Sequence, residues 1–258
     1  MEKYALITGA SGGIGLEFAH ILANDGFDLI LVARTLEKLE ELSTVINNEY
    51  KRKVLVIKTD LSIPGSAQAL FNQIEDRGYI VDVVINNAGF GDNGNFHDTD
   101  FSRDIQMINL NITSLYELNK LFVKEMIVKG SGKILNLASV AAFMPGPYMA
   151  LYYATKAFVL SFSVAIAKEL EGTGVTVTAL CPGPTKSEFF KNANASGKRV
   201  SSMFMMPEAK EVALYGYKCM LKGKKFAVHG TSNKVMIFVT RFLPLSFITK
   251  IVSIIQKN

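Results

Sequence analysis

Ser139, Tyr152 and Lys156 carry side chains that together could move a proton to or from a carbonyl oxygen. Tyr152 and Lys156 are four residues apart, so a helix would place them on one face. Ser139 directly follows the apolar run Lys133–Ala138, which is typical of a buried strand. A phenol can supply the proton, and a nearby ammonium group can make that proton available near neutral pH. The three residues therefore predict a site that reduces a ketone or oxidises an alcohol.

The spacing of Tyr152 and Lys156 is not sufficient by itself. Nine tyrosines in a lysine-rich chain should give about one Tyr-x-x-x-Lys pair by chance. Tyr116 and Lys120 form such a pair on another predicted helix. No serine at a strand end precedes this second pair, so we interpret it as ordinary helix surface.

Composition and charge exclude several classes of protein. The chain has 258 residues, of which 49% are hydrophobic and 20% charged, as is ordinary for a globular α/β domain. The net charge of +5 is spread over many lysines without a basic patch, so we expect no nucleic-acid partner. Cys181 and Cys219 have neither metal-ligand nor redox spacing. We expect no metal site, no signal peptide before the first strand, and a cytoplasmic protein with reduced thiols.

Short apolar runs alternate with amphipathic stretches along most of the chain. This alternation predicts an α/β fold with one doubly wound parallel sheet and helices on both faces, in a single domain spanning residues 1–258. The predicted strands are Tyr4–Thr8, Asp28–Ala33, Val54–Lys58, Val83–Asn86, Lys133–Ala138, Val175–Leu180 and Lys225–Val228. The predicted helices are Gly13–Asn24, Leu36–Tyr50, Gly65–Arg77, Phe101–Lys129, Met149–Glu171 and Pro207–Leu221.

The first predicted strand runs into a glycine-rich turn and then a helix. The glycines are Gly9, Gly13 and Gly15, in the order Gly-x-x-x-Gly-x-Gly. Glycine lets backbone amides approach a phosphate closely, and a helix N-terminus favours negative charge. A purely structural turn is the alternative. The position after the first strand of an α/β chain favours a dinucleotide site.

The end of the second predicted strand indicates which dinucleotide binds. Enzymes that prefer NAD tend to have an acid here for the ribose hydroxyls, and positions 32–36 contain none. Arg34 stands here instead, and a guanidinium suits a 2′-phosphate. The alternative is a solvated arginine at the start of a helix. We predict NADP(H), with NAD the less favoured cofactor.

Two further strands end in residues suited to ligand contact at the edge where open parallel sheets bind ligands. Asp60 and Leu61 follow the third strand, and Asn86–Gly89 ends the fourth. Asp60 could accept a hydrogen bond from an adenine amino group, or it could cap its own loop. The sequence leaves both interpretations open.

Taken together, these motifs resemble the short-chain dehydrogenase/reductase family. Similarity in order and spacing covers roughly residues 3–230. The basic residue after the second strand and the stretch after Pro184 are similar to the branch of ketoacyl reductases and 17β-hydroxysteroid dehydrogenases. The resemblance implies a Rossmann-like domain that transfers hydride between a nicotinamide and a carbonyl or secondary alcohol. The matching positions are Thr8–Gly15, Asp60–Leu61, Asn86–Gly89, Asn111, Ser139, Tyr152, Lys156 and Cys181–Pro184.

The resemblance also implies a role for each site residue. Tyr152 would be the acid in reduction and the base in oxidation, while Ser139 would bind the substrate oxygen. Lys156 would hold the nicotinamide ribose and, with the oxidised nicotinamide, lower the pKa of the Tyr152 phenol. Asn111 would keep a water in a proton relay towards Lys156. The implied cofactor contacts are Gly9, Ser11, Gly13, Ile14, Gly15, Arg34, Asp60, Leu61, Asn87, Ala88, Gly89, Tyr152, Lys156, Pro182, Gly183 and Thr185, with Ser187 a further candidate.

The substrate half is expected to be apolar. Residues 186–206 combine Phe and Met side chains with a polar centre, as is typical of a lid over a bulky substrate such as an acyl chain or steroid-like ring. These side chains could equally belong to the core. The opposite wall is predicted from Phe143, Met144, Pro145, Tyr148 and Met149.

The tail over residues 234–257 is strongly apolar but is interrupted by Arg241, Pro244 and Lys250, so it is not a convincing transmembrane span. It could pack on the pocket, in an oligomer interface or on a membrane surface, and we favour the first two. By resemblance, the helices Phe101–Lys129 and Met149–Glu171 imply a homodimer or homotetramer.

Two other functions are weighed against a carbonyl reductase. A non-catalytic NADP-binding regulatory protein would keep the glycine turn and could lose Tyr152 or Lys156, whereas this chain keeps all the catalytic positions. An epimerase or dehydratase of the extended type uses another glycine spacing and a larger C-terminal domain. The reductase is therefore favoured, while its substrate, direction and stereochemistry stay open.

Overall fold

The computed structural model describes residues 3–187 and 206–257, which form a seven-stranded sheet between two layers of helices. The strands lie in the order β3-β2-β1-β4-β5-β6-β7, and neighbouring strands are parallel. This topology confirms the predicted doubly wound α/β fold. The strands are β1 Tyr4–Thr8, β2 Asp28–Ala33, β3 Val54–Lys58, β4 Val81–Asn86, β5 Gly132–Leu137, β6 Val175–Cys181 and β7 Phe226–Val228.

The helices agree with the predicted pattern apart from two regions. The predicted helix Phe101–Lys129 is divided by a π-helical segment, Asn109–Ser114, and the apolar tail contains two further helices. Elsewhere the boundaries move by one or two residues, as at β4, which begins at Val81. The helices are α1 Gly13–Asn24, α2 Leu36–Tyr50, α3 Ser66–Glu75, α4 Phe101–Ile108, α5 Leu115–Lys129, α6 Ala150–Glu169, α7 Ala209–Leu221, α8 Thr231–Thr240 and α9 Leu245–Gln256.

The sheet is covered on both faces, which explains why its strands read as continuous apolar runs. Side chains alternate along a strand. On β1, Ala5 and Ile7 pack in the cluster that contains α1, α2 and α7, while Leu6 packs in the cluster that contains α3, α5 and part of α6. All three side chains are fully buried.

A buried polar cluster holds α5 and α6 against the middle of the sheet. Asn136 on β5 accepts hydrogen bonds from Asn86 Nδ2 at 2.9 Å and Asn119 Nδ2 at 3.0 Å. Its own amide donates to Asn119 Oδ1 at 3.1 Å and to Ser163 Oγ at 2.9 Å. Because a buried polar group without a partner is costly, this cluster favours a single register of β4, β5 and the two helices.

The site lies where the strand order reverses. β1 pairs with β2 on one side and β4 on the other, so the chain crosses over β1 after completing β3. In an open parallel sheet, such a reversal leaves a crevice at the carboxyl ends of the strands. Thr8, Asn86 and Leu137 stand at three of these ends.

Candidate active site

The glycine turn is held to the end of β4 by side-chain hydrogen bonds. Thr8 Oγ1 accepts from the backbone amides of Asn87 and Ala88, each at 3.0 Å. Asn87 Nδ2 donates to the carbonyls of Thr8 and Gly9, each at 3.0 Å. A Cβ on Gly15 would lie 2.3 Å from the Gly9 carbonyl oxygen, so the turn and α1 approach too closely for any other residue.

A cleft of 770 Å³ follows the carboxyl edge of the sheet. Ligand pockets typically enclose about 300–1,000 Å³. Every predicted catalytic and cofactor-binding residue lines this cleft except Gly15 and Asn111. Gly15 packs beneath the glycine turn, and Asn111 lies behind the cleft wall with 1% of its surface exposed.

Three elements bring Ser139, Tyr152 and Lys156 together in this cleft. Ser139 follows β5, and its Oγ accepts a hydrogen bond from Ala141 N at 3.1 Å. Tyr152 and Lys156 lie one turn apart on α6, and the side chain of Ser139 is close enough to the Tyr152 hydroxyl to influence its pKa. Lys156 Nζ donates to the Leu137 carbonyl at 2.7 Å and lies 5.8 Å from the centre of the Tyr152 ring.

Burial shifts the acid–base properties of both groups on α6. The pKa of Tyr152 is raised above its usual value because burial disfavours the phenolate, and the nearby Ser139 hydroxyl offsets only part of this rise. Burial lowers the pKa of Lys156 to about 8, since the ammonium loses its hydration. In the protein without a cofactor, burial therefore dominates the Tyr152 pKa, and the lowering expected from Lys156 together with an oxidised nicotinamide stays a prediction.

Asn111 holds the loop that follows β4. Its Nδ2 donates to the Phe90 carbonyl at 2.9 Å and to Thr155 Oγ1 at 3.1 Å, while its Oδ1 accepts from Phe90 N at 3.1 Å. A Cβ on Gly89 would lie 3.0 Å from this Oδ1 and 3.5 Å from Lys156 Nζ, so both atoms abut the same glycine. Asn111 belongs to the π-helical segment, and such segments are frequent at functional sites.

Comparison with known proteins assigns the chain to a family. Residues 3–198 match the family model described as short chain dehydrogenase. The chain belongs to the short-chain dehydrogenase family. It is 36% identical over 189 residues to very-long-chain 3-oxoacyl-CoA reductase-B of Danio rerio, a match that covers 70% of this chain and 59% of that protein. The chain thus spans less than two thirds of the length of that relative.

Two further similarities extend over more of the sequence. The match to 17-beta-hydroxysteroid dehydrogenase type 3 of Homo sapiens is 31% identical over 224 residues, or 85% of this chain and 71% of that protein. A solved short-chain dehydrogenase from Sphingobium yanoikuyae in complex with NADPH has a TM-score of 0.83 and 29% identity, and the similarity covers 93% of each chain. A nicotinamide cofactor therefore suits this short-chain dehydrogenase.

The residues of the cleft fit such a cofactor. Gly9 and Gly13 adopt φ of 66° and 56°, a region that favours glycine, and they present backbone at the N-terminus of α1 as a phosphate cradle would. Next to the glycine turn, after β2, Arg34 and Lys38 are both exposed and line the cleft. Sequence reasoning missed Lys38, although its position four residues after Arg34 was a usable signal.

Asp60 caps its own loop, which is one of the two roles predicted for it. Its Oδ1 accepts from Ser62 N at 2.9 Å and from Ser62 Oγ at 2.7 Å, so the carboxylate caps its own loop. Asp60 also lines the cleft, where it can face an adenine ring as well. The loop-cap interpretation is thus confirmed, and the adenine contact stays a prediction.

The C-terminal tail reaches the end of the cleft near Tyr152, and packing on the pocket is one of the two locations favoured for it from the sequence. Gln256, the last residue of α9, lines the cleft and donates from Nε2 to the Tyr153 hydroxyl at 3.0 Å. Asn93 Nδ2 donates to the Gln256 carbonyl at 3.4 Å. The Tyr153 ring lies against Gly146, where a Cβ would be 2.4 Å from it. Tyr153 and Gln256 therefore form a polar contact between α6 and the tail beside Tyr152.

Only some of the residues predicted to surround the substrate line the cleft. Met149 lines the cleft, while Phe143 packs against a core cluster that includes α8. Most of the predicted lid, residues 188–205, lies outside the described residues. The chain on either side is joined, since Lys186 N donates to the Pro207 carbonyl at 3.0 Å.

Proposed function

We propose that this chain is an NADP(H)-dependent carbonyl reductase of the short-chain dehydrogenase family that acts on a bulky apolar ketone, of 3-oxoacyl or steroid-like type. The proposal rests on one observation: Ser139, Tyr152 and Lys156 lie close together in the lining of the cleft. This set supplies an oxygen-binding hydroxyl, a proton donor and a cation.

The proton chemistry follows from the surroundings of α6. Ser139 and Tyr152 both present hydroxyl groups to a carbonyl oxygen, which gains negative charge as the carbonyl carbon is reduced. Tyr152 then donates its proton to that oxygen. The raised pKa keeps the phenol of the cofactor-free protein protonated near neutral pH, as proton donation requires. A bound nicotinamide would supply the hydride, and Lys156, Asn87 and the glycine turn are placed to hold it.

The preference for NADP(H) rests on charge at one end of the cleft. Arg34 and Lys38 provide two cations there, whereas Asp60 is the one acid among the described residues that line the cleft. A phosphate on the adenosine ribose would form an ion pair with both cations, which a neutral ribose hydroxyl cannot do.

The substrate class rests on the walls around Tyr152. Phe90, Val140, Ala141, Met149 and Tyr153 line this end of the cleft. They offer a mostly apolar surface that would bury an acyl chain or a ring system. The relatives named above, a 3-oxoacyl-CoA reductase and a hydroxysteroid dehydrogenase, act on ketones of this kind by their names.

We also propose a cytoplasmic homodimer that associates through α5 and α6. Tyr116 and Phe158 are exposed on these helices, and both rings lie near Phe162, at 5.8 Å and 5.6 Å between centroids. An exposed aromatic patch of this kind is typical of a contact between subunits.

Steady-state assays with NADPH and NADH against aldehydes, 3-oxoacyl thioesters and ketosteroids would test the reaction. We expect turnover with NADPH and with one class of bulky ketone. Tyr152→Phe should lower kcat by about 10²- to 10⁴-fold, the usual contribution of a general acid. Binding of NADPH without turnover across the panel would contradict the reductase and support the regulatory alternative.

The cofactor preference has its own matched pair of variants. Arg34→Asp should lower the preference for NADPH over NADH at least tenfold, while Arg77→Asp, an exposed arginine outside the cleft, should leave it unchanged. Equal activity of the wild-type protein with both cofactors would refute the NADP(H) assignment and leave the reductase intact.

A further inference from the structure

Helix α8 carries an exposed apolar stripe. Val235, Phe238 and Val239 follow the i, i+3, i+4 spacing of one helix face, and all three are exposed. Phe242, just beyond the helix, continues the stripe with 74% of its surface exposed, and its ring lies 5.2 Å from that of Phe238. Large side chains exposed side by side indicate a surface with a partner.

Helix α9 repeats the pattern. Phe247, Ile251 and Ile254 follow an i, i+4, i+7 spacing on an exposed face, while Ile248 and Val252 on the neighbouring face are buried against the domain. The helix is thus anchored by one apolar face and presents a second one outward. We call the exposed stripes of α8 and α9, with Leu245 between them, the tail surface.

Charge indicates the chemistry of the partner. After Glu211 the sequence contains no acidic residue, while eight cations occur: Lys218, Lys222, Lys224, Lys225, Lys234, Arg241, Lys250 and Lys257. The last four belong to the tail and are all exposed. An apolar surface bordered by cations without acids complements a surface that is apolar inside and anionic outside.

A second copy of the chain matches this surface less well. In a two-fold contact the same patch meets itself, so the four tail cations would face four identical cations with no acid from either tail. A membrane-spanning role does not suit the tail either. A 12-residue α9 is about 18 Å long, against about 30 Å for a hydrocarbon core.

We propose that the tail surface docks the protein on the face of an anionic bilayer, with the apolar side chains of α8 and α9 among the acyl chains and Arg241 and Lys250 at the headgroups. Docking goes beyond the proposed reaction and does not depend on it. Gln256 at the end of α9 lines the catalytic cleft, so the docked protein holds the apolar end of that cleft next to the lipid.

A fluorescence experiment tests the docking directly, because the chain contains no tryptophan. Phe242→Trp places a single reporter in the tail surface, and Phe96→Trp places one at an exposed phenylalanine elsewhere. Vesicles of phosphatidylcholine with phosphatidylglycerol should shift the emission of the Phe242→Trp variant to the blue and leave that of the Phe96→Trp variant unchanged. Vesicles of phosphatidylcholine alone should give at least tenfold weaker binding.

Charge variants separate docking from general adsorption. Arg241→Gln with Lys250→Gln should weaken binding to the anionic vesicles at least fivefold, as should raising the salt from about 0.1 M to 1 M. Lys51→Gln with Arg77→Gln, at exposed positions outside the tail and outside α5 and α6, should have no effect. Equal binding to neutral and anionic vesicles would overturn the proposal. An absence of lipid binding would also overturn the proposal. In that case, dissociation of the dimer in the variant Phe238→Ser with Phe242→Ser would show that a second copy of the chain covers the tail surface instead.

Discussion

Replacing Lys156 by Met should change how the stability of the protein depends on pH. Lys156 is 5% exposed, and its pKa falls from 10.5 to about 8 in the folded chain. A fall of this size corresponds to about 3 kcal/mol, since a tenfold change in an ionisation constant is about 1.4 kcal/mol. This free energy opposes folding while the buried ammonium stays charged, and it is recovered as the group loses its proton.

The sign follows from the two protonation states. Between pH 8 and pH 10.5, the unfolded chain keeps the proton on Lys156 while the folded chain has released it. The unfolded state then binds more protons, so the free energy of unfolding rises with pH because of this residue. The Met variant lacks the titration. Its loss of the hydrogen bond to the Leu137 carbonyl adds an offset that does not vary with pH.

Urea denaturation of both proteins at pH 7, 8, 9 and 10 measures the effect. Subtracting the variant from the wild type removes the titrations that the two proteins share. The difference in the free energy of unfolding should rise by about 2 to 3 kcal/mol from pH 7 to pH 10. A difference that is flat or falls with pH would refute the conclusion that Lys156 is charged, desolvated and destabilising near neutral pH.

Four further variants test other parts of the molecule. Asn136→Ala should lower the free energy of unfolding by about 2 to 4 kcal/mol in urea denaturation, because several buried polar groups lose their partner; a change below about 1 kcal/mol would count against the cluster. Gly15→Ala should raise the Kd for NADPH at least tenfold in a fluorescence titration, because its Cβ would lie 2.3 Å from the Gly9 carbonyl oxygen. An unchanged Kd would mean that the glycine turn can shift to make room for a methyl group. Gln256→Ala should raise KM for bulky ketones about fivefold with an unchanged Kd for NADPH, and Tyr153→Phe should act in the same direction. An unchanged KM in both variants would show that the tail does not contribute to substrate binding.

Local patterns in the sequence are sufficient to predict the sheet and most of the residues that line the cleft. The strands are buried on both faces, so each appears as an uninterrupted apolar run, and glycines at positive φ such as Gly26 and Gly130 end the helices that precede them. Site residues such as Asp60 and Asn87 lie within two residues of the end of a strand. A parallel sheet gathers such positions at one edge whatever the details of packing.

The features that sequence reasoning missed depend on contacts between distant segments. Gln256 meets Tyr153 across a separation of 103 residues, and a glutamine in an apolar tail gives no sign of that partner. The raised pKa of Tyr152 depends on its degree of burial, whereas the sequence shows only the nearby cation. The two tail helices look like one apolar stretch in the sequence because their exposed and buried faces are both apolar.

The π-helical segment Asn109–Ser114 joins α4 to α5 and changes the direction in which the side chains of α5 point relative to those of α4. Each residue of an α-helix advances by about 100°, so the extra residue in a wider turn rotates everything after it by that amount. Arg103 and Gln106 before the segment line the cleft, while Leu118 and Phe122 after it are buried beneath the sheet. Deleting one residue within the segment would restore a regular helix and misalign one of these two faces. The number of residues in this helix is therefore constrained, and substitutions at its exposed positions should be tolerated far better than single deletions or insertions.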